Sequence, residues 1–240
     1  MPIRLSVTDP SIARQVERQM RNWEIARTQS HIRDPVTASN FEVEDFITVS
    51  RQVGAEGRRV AQELGERLGW PVFDREILEA MAGDDRVRRQ IYASMDGRDL
   101  GWWEEALRSL FQSEFVRNDY FRKLSETLLS LARQSPCILV GRGADLILPA
   151  DLGFRVRLVA PMAARISRLS DVHCLTANEA KQYIQRIESQ RRRFLKNHFG
   201  ITADDPTRFD VTLTLGRLTC DEATKLILDA RAFVKLGATA

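Results

Sequence analysis

The 240 residues carry 36 Lys and Arg against 33 Asp and Glu, a formal charge of +3, with 43% hydrophobic and 29% charged residues. That balance is ordinary for one sizeable α/β domain with an insertion, and it excludes a disordered or membrane class. The mild basic excess suits small phosphorylated ligands and falls short of the dense patch of a nucleic-acid binder, so no nucleic-acid partner is expected.

No apolar run approaches the ~18 residues of a membrane span, and "MPIRLSVTDP" lacks a signal-peptide core, so the expected location is cytoplasmic, away from membranes. Cys137, Cys174 and Cys220 are widely spaced and form no CxxC, which reads as three reduced thiols. His31, His173 and His198 show no metal-ligand spacing.

Residues 9–28 open on Asp9-Pro10, a cap followed by proline in the first helical turn, and carry Ile12, Val16, Met20 and Trp23 at helical spacing. Such an amphipathic helix can pack on the core or on a second subunit, so a homodimer through it is an expectation. Gln29 to Asp45, with Pro35, reads as a linker, so that residues 1–45 hold this helix and the linker ahead of a main domain at 46–240.

"FITVS" (46–50) is a β-rich run that meets a turn at Gly54, then a helix with Val60, Leu64 and Leu68 on one face that ends near Gly69. "VFD" (72–74) is a further short strand. Residues 75–134 are helical in pattern, with breaks at Gly83 and "DGRDLG", while Trp102 and Trp103 could stack on a base or serve equally as core or interface aromatics, and no role is given to them. "CILVG" (137–141) has the continuous apolarity of a parallel strand buried on both faces, and "FRVRLVA" (154–160) precedes a helix starting at Pro161. "FDVTLTL" (209–215) is the last strand, and Thr219 with Glu222 matches a capping box that opens the final helix.

The strand, glycine turn and helix at 46–69 have the layout of a phosphate-binding loop without its lysine. Set against G-x-x-x-x-G-K-S/T, Arg51 takes the first glycine's place, Glu56 the second's, Gly57 the lysine's and Arg58 the hydroxyl's. From this window alone, a plain strand-turn-helix connection with solvated charges is as good a reading.

Taken in order, "ITVSRQVGAEGRRVAQELGERLG", "PCILVGRGADLIL", "FRVRLVAPMAARISRL" and "FDVTLTLGRLTCDEA" resemble the cytidylate kinase-like family over residues 46 to 232. The family's loop often reads SRQ followed by GSGG, so Ser50, Arg51, Gln52, Gly54, Gly57 and Arg58 match, while Ala55 and Glu56 depart. The resemblance makes the missing lysine a family trait. It implies an α/β fold: a P-loop nucleoside-kinase-like parallel sheet flanked by helices, with an acceptor-side helical region (75–134), a lid (176–205) and an N-terminal helical extension.

It also implies the site. Donor phosphates of ATP would lie on Arg51, Gln52, Gly54, Ala55, Glu56, Gly57, Arg58 and Arg59, with Arg58 at the helix start the best substitute for the lysine. A Glu56 carboxylate about 4 Å from a phosphate charge would cost roughly 1 kcal/mol in bulk water and about 4 at a dielectric near 20, so it must point away or pair with an arginine. Asp74, Arg142, Glu188 and Arg191 would hold the acceptor nucleotide; in "VGRGAD" Gly143 replaces the aspartate of the family's GRD. Arg186, Arg192 and Arg193 would close as a lid, with Arg58, Arg186, Arg191 and Arg192 meeting the charge of phosphoryl transfer.

The expected activity is transfer from ATP, with Mg2+, to a nucleoside monophosphate, CMP or dCMP first. No magnesium ligand can be named from the sequence. The alternatives are a catalytically silent nucleotide-binding regulator and a kinase of another small acceptor.

Overall fold

The computed structural model describes residues 10–33, 45–85, 87, 119–149, 152–202 and 205–238. The break at "DGRDLG", Trp102, Trp103 and most of the linker lie outside the described residues. Five parallel strands form one sheet in the order β2-β3-β1-β4-β5. They are β1 Phe46–Arg51, β2 Val72–Phe73, β3 Cys137–Val140, β4 Phe154–Val159 and β5 Val211–Thr214.

Eight helices flank the sheet among the described residues: α1 Pro10–Arg33, α2 Gly57–Leu68, α3 Arg75–Gly83, α4 Asp119–Gln134, α5 Ala144–Ile147, α6 Met162–His173, α7 Ala177–Phe199 and α8 Cys220–Ala238. The chain is α/β, a parallel sheet between helical layers, as the alternation of apolar runs and helical periods indicated.

The two faces of the sheet follow from the twofold period of a strand. Phe46, Cys137 and Leu139 point to a core built with Phe73, Leu78, Phe121 and Leu128. Their neighbours Ile47, Val49, Ile138 and Val140 point the other way, onto Val60, Leu64, Leu215 and Ile227. Both faces of β1 and β3 are therefore covered, which is why these strands are apolar without alternation. A third, smaller cluster of Val53, Leu169, Ala180 and Ile184 joins α6 and α7 to the loop after β1.

Helix α1 runs five residues past the expected end at 28, to Arg33. Residues 29–33 contain neither glycine nor proline, and the first strong stop is Pro35, which disfavours helical backbone at the residue before it. Val16, Met20 and Trp23 are buried, and the Trp23 indole Nε1–H donates to the Leu131 carbonyl at 3.2 Å. The Val72 N–H on edge strand β2 donates to the Gln19 Oε1 at 3.0 Å. Val16, Met20 and Trp23 are thus covered within one chain, while Ile25 on the same helix is exposed.

The sequence signals at the helix ends are realised. Helix α2 stops at Gly69, whose φ is 68°. At the start of α8 the Glu222 N–H donates to Thr219 Oγ1 at 3.2 Å and the Thr219 N–H donates to Glu222 Oε2 at 2.8 Å. The three cysteines are free thiols. Among the described residues no helix is long and apolar enough to cross a membrane.

Candidate active site

The loop between β1 and α2 is held open by its neighbours. Gly54 has φ 78°, and a side chain there would meet the Arg165 carbonyl oxygen at 3.0 Å. The carbonyls of Val53 and Gly54 accept from Arg165 Nε and Arg168 Nη1, each at 2.7 Å. The Ala160 N–H donates to the Gln52 side-chain oxygen at 3.0 Å, tying the loop to the end of β4. The Gly57 and Arg58 N–H groups at the start of α2 have no intrahelical acceptor, while those of Arg59 and Val60 donate to the Glu56 carbonyl at 2.9 and 3.2 Å, and this first turn carries the positive end of the helix dipole. These are the elements of an anion cradle.

Glu56 does not threaten it. Its carboxylate pairs with Arg168 at 2.6 Å and lies 4.0 Å from Arg59, so the negative charge is neutralised on the α6 side.

Arg58 turns out of the loop: its guanidinium bonds Asp74 and Glu76, both at 2.8 Å, and is half-exposed. Arg59 is exposed on Glu63 at 3.1 Å. Asp74 caps α3, accepting from the N–H groups of Glu76 at 3.0 Å and Ile77 at 3.2 Å. Asp74→Ala is therefore expected to lower stability by about 1 kcal/mol in a denaturant titration, the usual loss of a cap.

A cavity of about 170 Å³ opens at the carboxyl ends of β1, β3 and β4, where open α/β sheets bind ligands. Seven arginines line it: Arg51, Arg75, Arg142, Arg157, Arg191, Arg192 and Arg208. Its two carboxylates are already engaged, Asp145 by Arg208 and Glu188 by Arg165. Glu188 also accepts from the Val53 N–H at 3.4 Å, and Arg191 Nη1 donates to the Arg51 carbonyl at 2.7 Å. Helix α7 is in this way fastened to the loop by the acid and base expected to touch the acceptor.

Room for the Arg51 side chain comes from Gly141, where a Cβ would sit 2.7 Å from Arg51 Nη1. The next residue, Arg142, has φ 57°, a left-handed backbone that an arginine rarely adopts. Its guanidinium pairs with Glu79 and lies 5.6 Å from the Phe194 ring, and its Nε is buried without a hydrogen-bond partner.

Burial, followed by the charges of Arg191, Arg58 and Arg75, pushes Arg51 down to about 9 against the pull of Asp74. Burial and then Arg75 push Arg191 down to about 10. Arg142 is pushed down to about 10 by burial, Arg75 and Arg191 even with Glu79 beside it. The cavity gathers a crowded set of like charges that an anion would relieve.

The family model for the cytidylate kinase-like family matches residues 46–217, more than two thirds of the chain. The chain belongs to the cytidylate kinase-like family. That membership points to nucleotide kinase activity and to the general use of nucleotide and metal. No curated protein matches the sequence.

Among solved structures, an uncharacterized protein from Eubacterium ventriosum superposes with a TM-score of 0.62 at 17% identity, covering 78% of this chain and 97% of that one. The protein TT1252 from Thermus thermophilus gives a TM-score of 0.41 at 19% identity over 78% and 98% of the two chains. The first of these likenesses supports the fold of this cytidylate kinase-like chain.

Of the family-implied residues, Arg51, Gln52, Arg142, Glu188, Arg191 and Arg192 are brought together on the cavity. Gly54, Ala55, Glu56 and Gly57 form the adjoining loop. Arg186 lies outside it, exposed and 5.4 Å from the Tyr183 ring, and Arg193 is exposed.

The sequence reading missed Arg75, Arg157 and Arg208. For Arg157 there was a faint signal, a polar residue set into an apolar strand; it pairs in register with Ser50 and donates to its Oγ at 2.7 Å. Arg208 offered none.

Proposed function

We propose that this chain transfers the γ-phosphoryl group of ATP to a nucleoside monophosphate, with CMP and dCMP the first acceptors to test. The observation that supports this most is the arginine-lined cavity at the carboxyl end of the sheet, directly beside the glycine loop. Phosphoryl transfer spreads negative charge over equatorial oxygens, so positioning and neutralisation matter more than a strong base.

In this reading the loop and the start of α2 take the donor phosphates and Arg51 supports them from below. Arg142 and Arg191 hold the acceptor's phosphate, and Arg192 stands at the rim. Glu188 fixes Arg165 and the loop.

Magnesium, when bound with the nucleotide, would supply neutralising charge to its phosphates. Among the described residues no three His, Cys, Asp or Glu side chains cluster to hold a metal ion, and both cavity carboxylates face arginines. The side chains do not form a cage for the ion, and none is assigned to it.

The test is transfer from ATP with magnesium to CMP, dCMP, UMP, AMP and GMP, read as nucleoside diphosphate formed. Turnover favouring the cytidine nucleotides supports the assignment, and turnover with another base moves the acceptor. ATP binding without transfer to any member of the panel would favour a silent nucleotide-binding regulator.

A further inference from the structure

Arg75 stands where helix physics disfavours it. It is the first residue of α3, where the dipole opposes a cation, and the side chain lines the cavity with Arg51, Arg142 and Arg191. The carboxylates closest to it in sequence serve other arginines: Asp74 and Glu76 hold Arg58, and Glu79 holds Arg142. Arg75 itself forms no ion pair among the described residues, and neither does Arg51.

Arg75 is moreover a cause of the lowered pKa of Arg51, Arg142 and Arg191, second only to burial for the last two. A side chain kept for packing would gain from a nearby carboxylate. This one is kept among like charges, which is useful only if an anion arrives.

Building on the transfer reading, we infer that Arg75 is a phosphate-binding residue that, with Arg51 and Arg191, supplies the positive charge of the absent loop lysine. Its ligand is the run of phosphoryl groups between donor and acceptor. Each guanidinium presents five donors in a planar fork, so three of them can surround a phosphate chain that one ammonium could meet only as a point charge. Arg191 uses one nitrogen on the Arg51 carbonyl and keeps others for the ligand.

The probe is inorganic tripolyphosphate, titrated calorimetrically into the full-length protein and into Arg75→Ala, Arg75→Lys and Arg67→Ala. Arg67 pairs with Asp221 at the far end of α2 and controls for loss of one positive charge.

Arg75→Ala is expected to weaken tripolyphosphate about 30-fold, the loss of one charged hydrogen-bonding partner, with Arg75→Lys recovering part of it and Arg67→Ala unchanged. Without ligand, Arg75→Ala is expected to melt at or above the wild-type temperature, because repulsion is removed. A merely structural arginine would give a lower melting temperature, and that result overturns the inference; so does binding by Arg75→Ala within threefold of wild type.

The two readings fail separately. Arg75-dependent tripolyphosphate binding without transfer to any acceptor removes the transfer reading and leaves this one. Transfer by the wild type with tripolyphosphate binding indifferent to Arg75 removes this one alone.

Discussion

Arg191→Ala is expected to lower kcat/KM for phosphoryl transfer by about 10³-fold, in the range seen when one charge-stabilising donor or an arginine finger is lost. Two losses combine. The side chain contributes positive charge to the cavity, and its Nη1 holds α7 on the loop through the Arg51 carbonyl at 2.7 Å. Removing it loosens the loop that meets the donor as well as the grip on the acceptor.

Arg191→Lys restores charge without the planar fork and is expected to recover less than about a tenth of the lost activity. Steady-state kinetics decide between roles. A fall in kcat with little change in KM means Arg191 acts on the transition state, whereas a higher KM at constant kcat means it only binds substrate. A loss under about tenfold in kcat/KM removes Arg191 from the transfer machinery.

Trp23→Ala should destabilise the protein by about 3–5 kcal/mol, the usual range for a large aromatic cut from a core that cannot collapse. The indole is 1% exposed and shares a cluster with Val16, Met20, Phe73, Leu78 and Phe121. Its Nε1–H also satisfies the Leu131 carbonyl. Against a total stability of about 5–15 kcal/mol this is a large share, and urea unfolding would show it as a shifted midpoint. A loss below about 1 kcal/mol would mean that α1 rests on the domain without supporting it, so that residues 46–240 stand alone.

β1 and β3 were legible because burial on both faces leaves a short continuous apolar run such as "CILV" between turns, whereas β5, with alternating half-buried and exposed residues, was legible from its alternation. The ends of α2 and α8 were legible for local reasons, a glycine at one and a capping box at the other. The end of α1 is hidden by the polar composition of residues 29–33, which suggests a break, although only proline and its preceding residue forbid the helix.

The site was harder. Arg58 is adjacent to the loop in sequence, yet successive helical residues diverge by about 100°, and that rotation carries it to Asp74 and Glu76. Arg75, Arg157 and Arg208 converge from three separate elements, and nothing in their own neighbourhoods announces a shared cavity. Sequence spacing could place the loop, but only the fold could bring its counter-charges together.

The bond from Val72 to Gln19 carries a consequence for the order of events during folding. Strand β2 is the outermost strand on its side of the sheet, and a bare edge of this kind is a template for another chain's backbone. Helix α1 leaves the ribosome before any of the sheet, but its indole waits for Leu131, 108 residues later. The helix made first therefore docks late, since distant contacts form slowly. Until it does, the Val72 N–H lacks its Gln19 acceptor, and a nascent or trimmed chain without α1 in place presents that donor on the β2 edge to another strand.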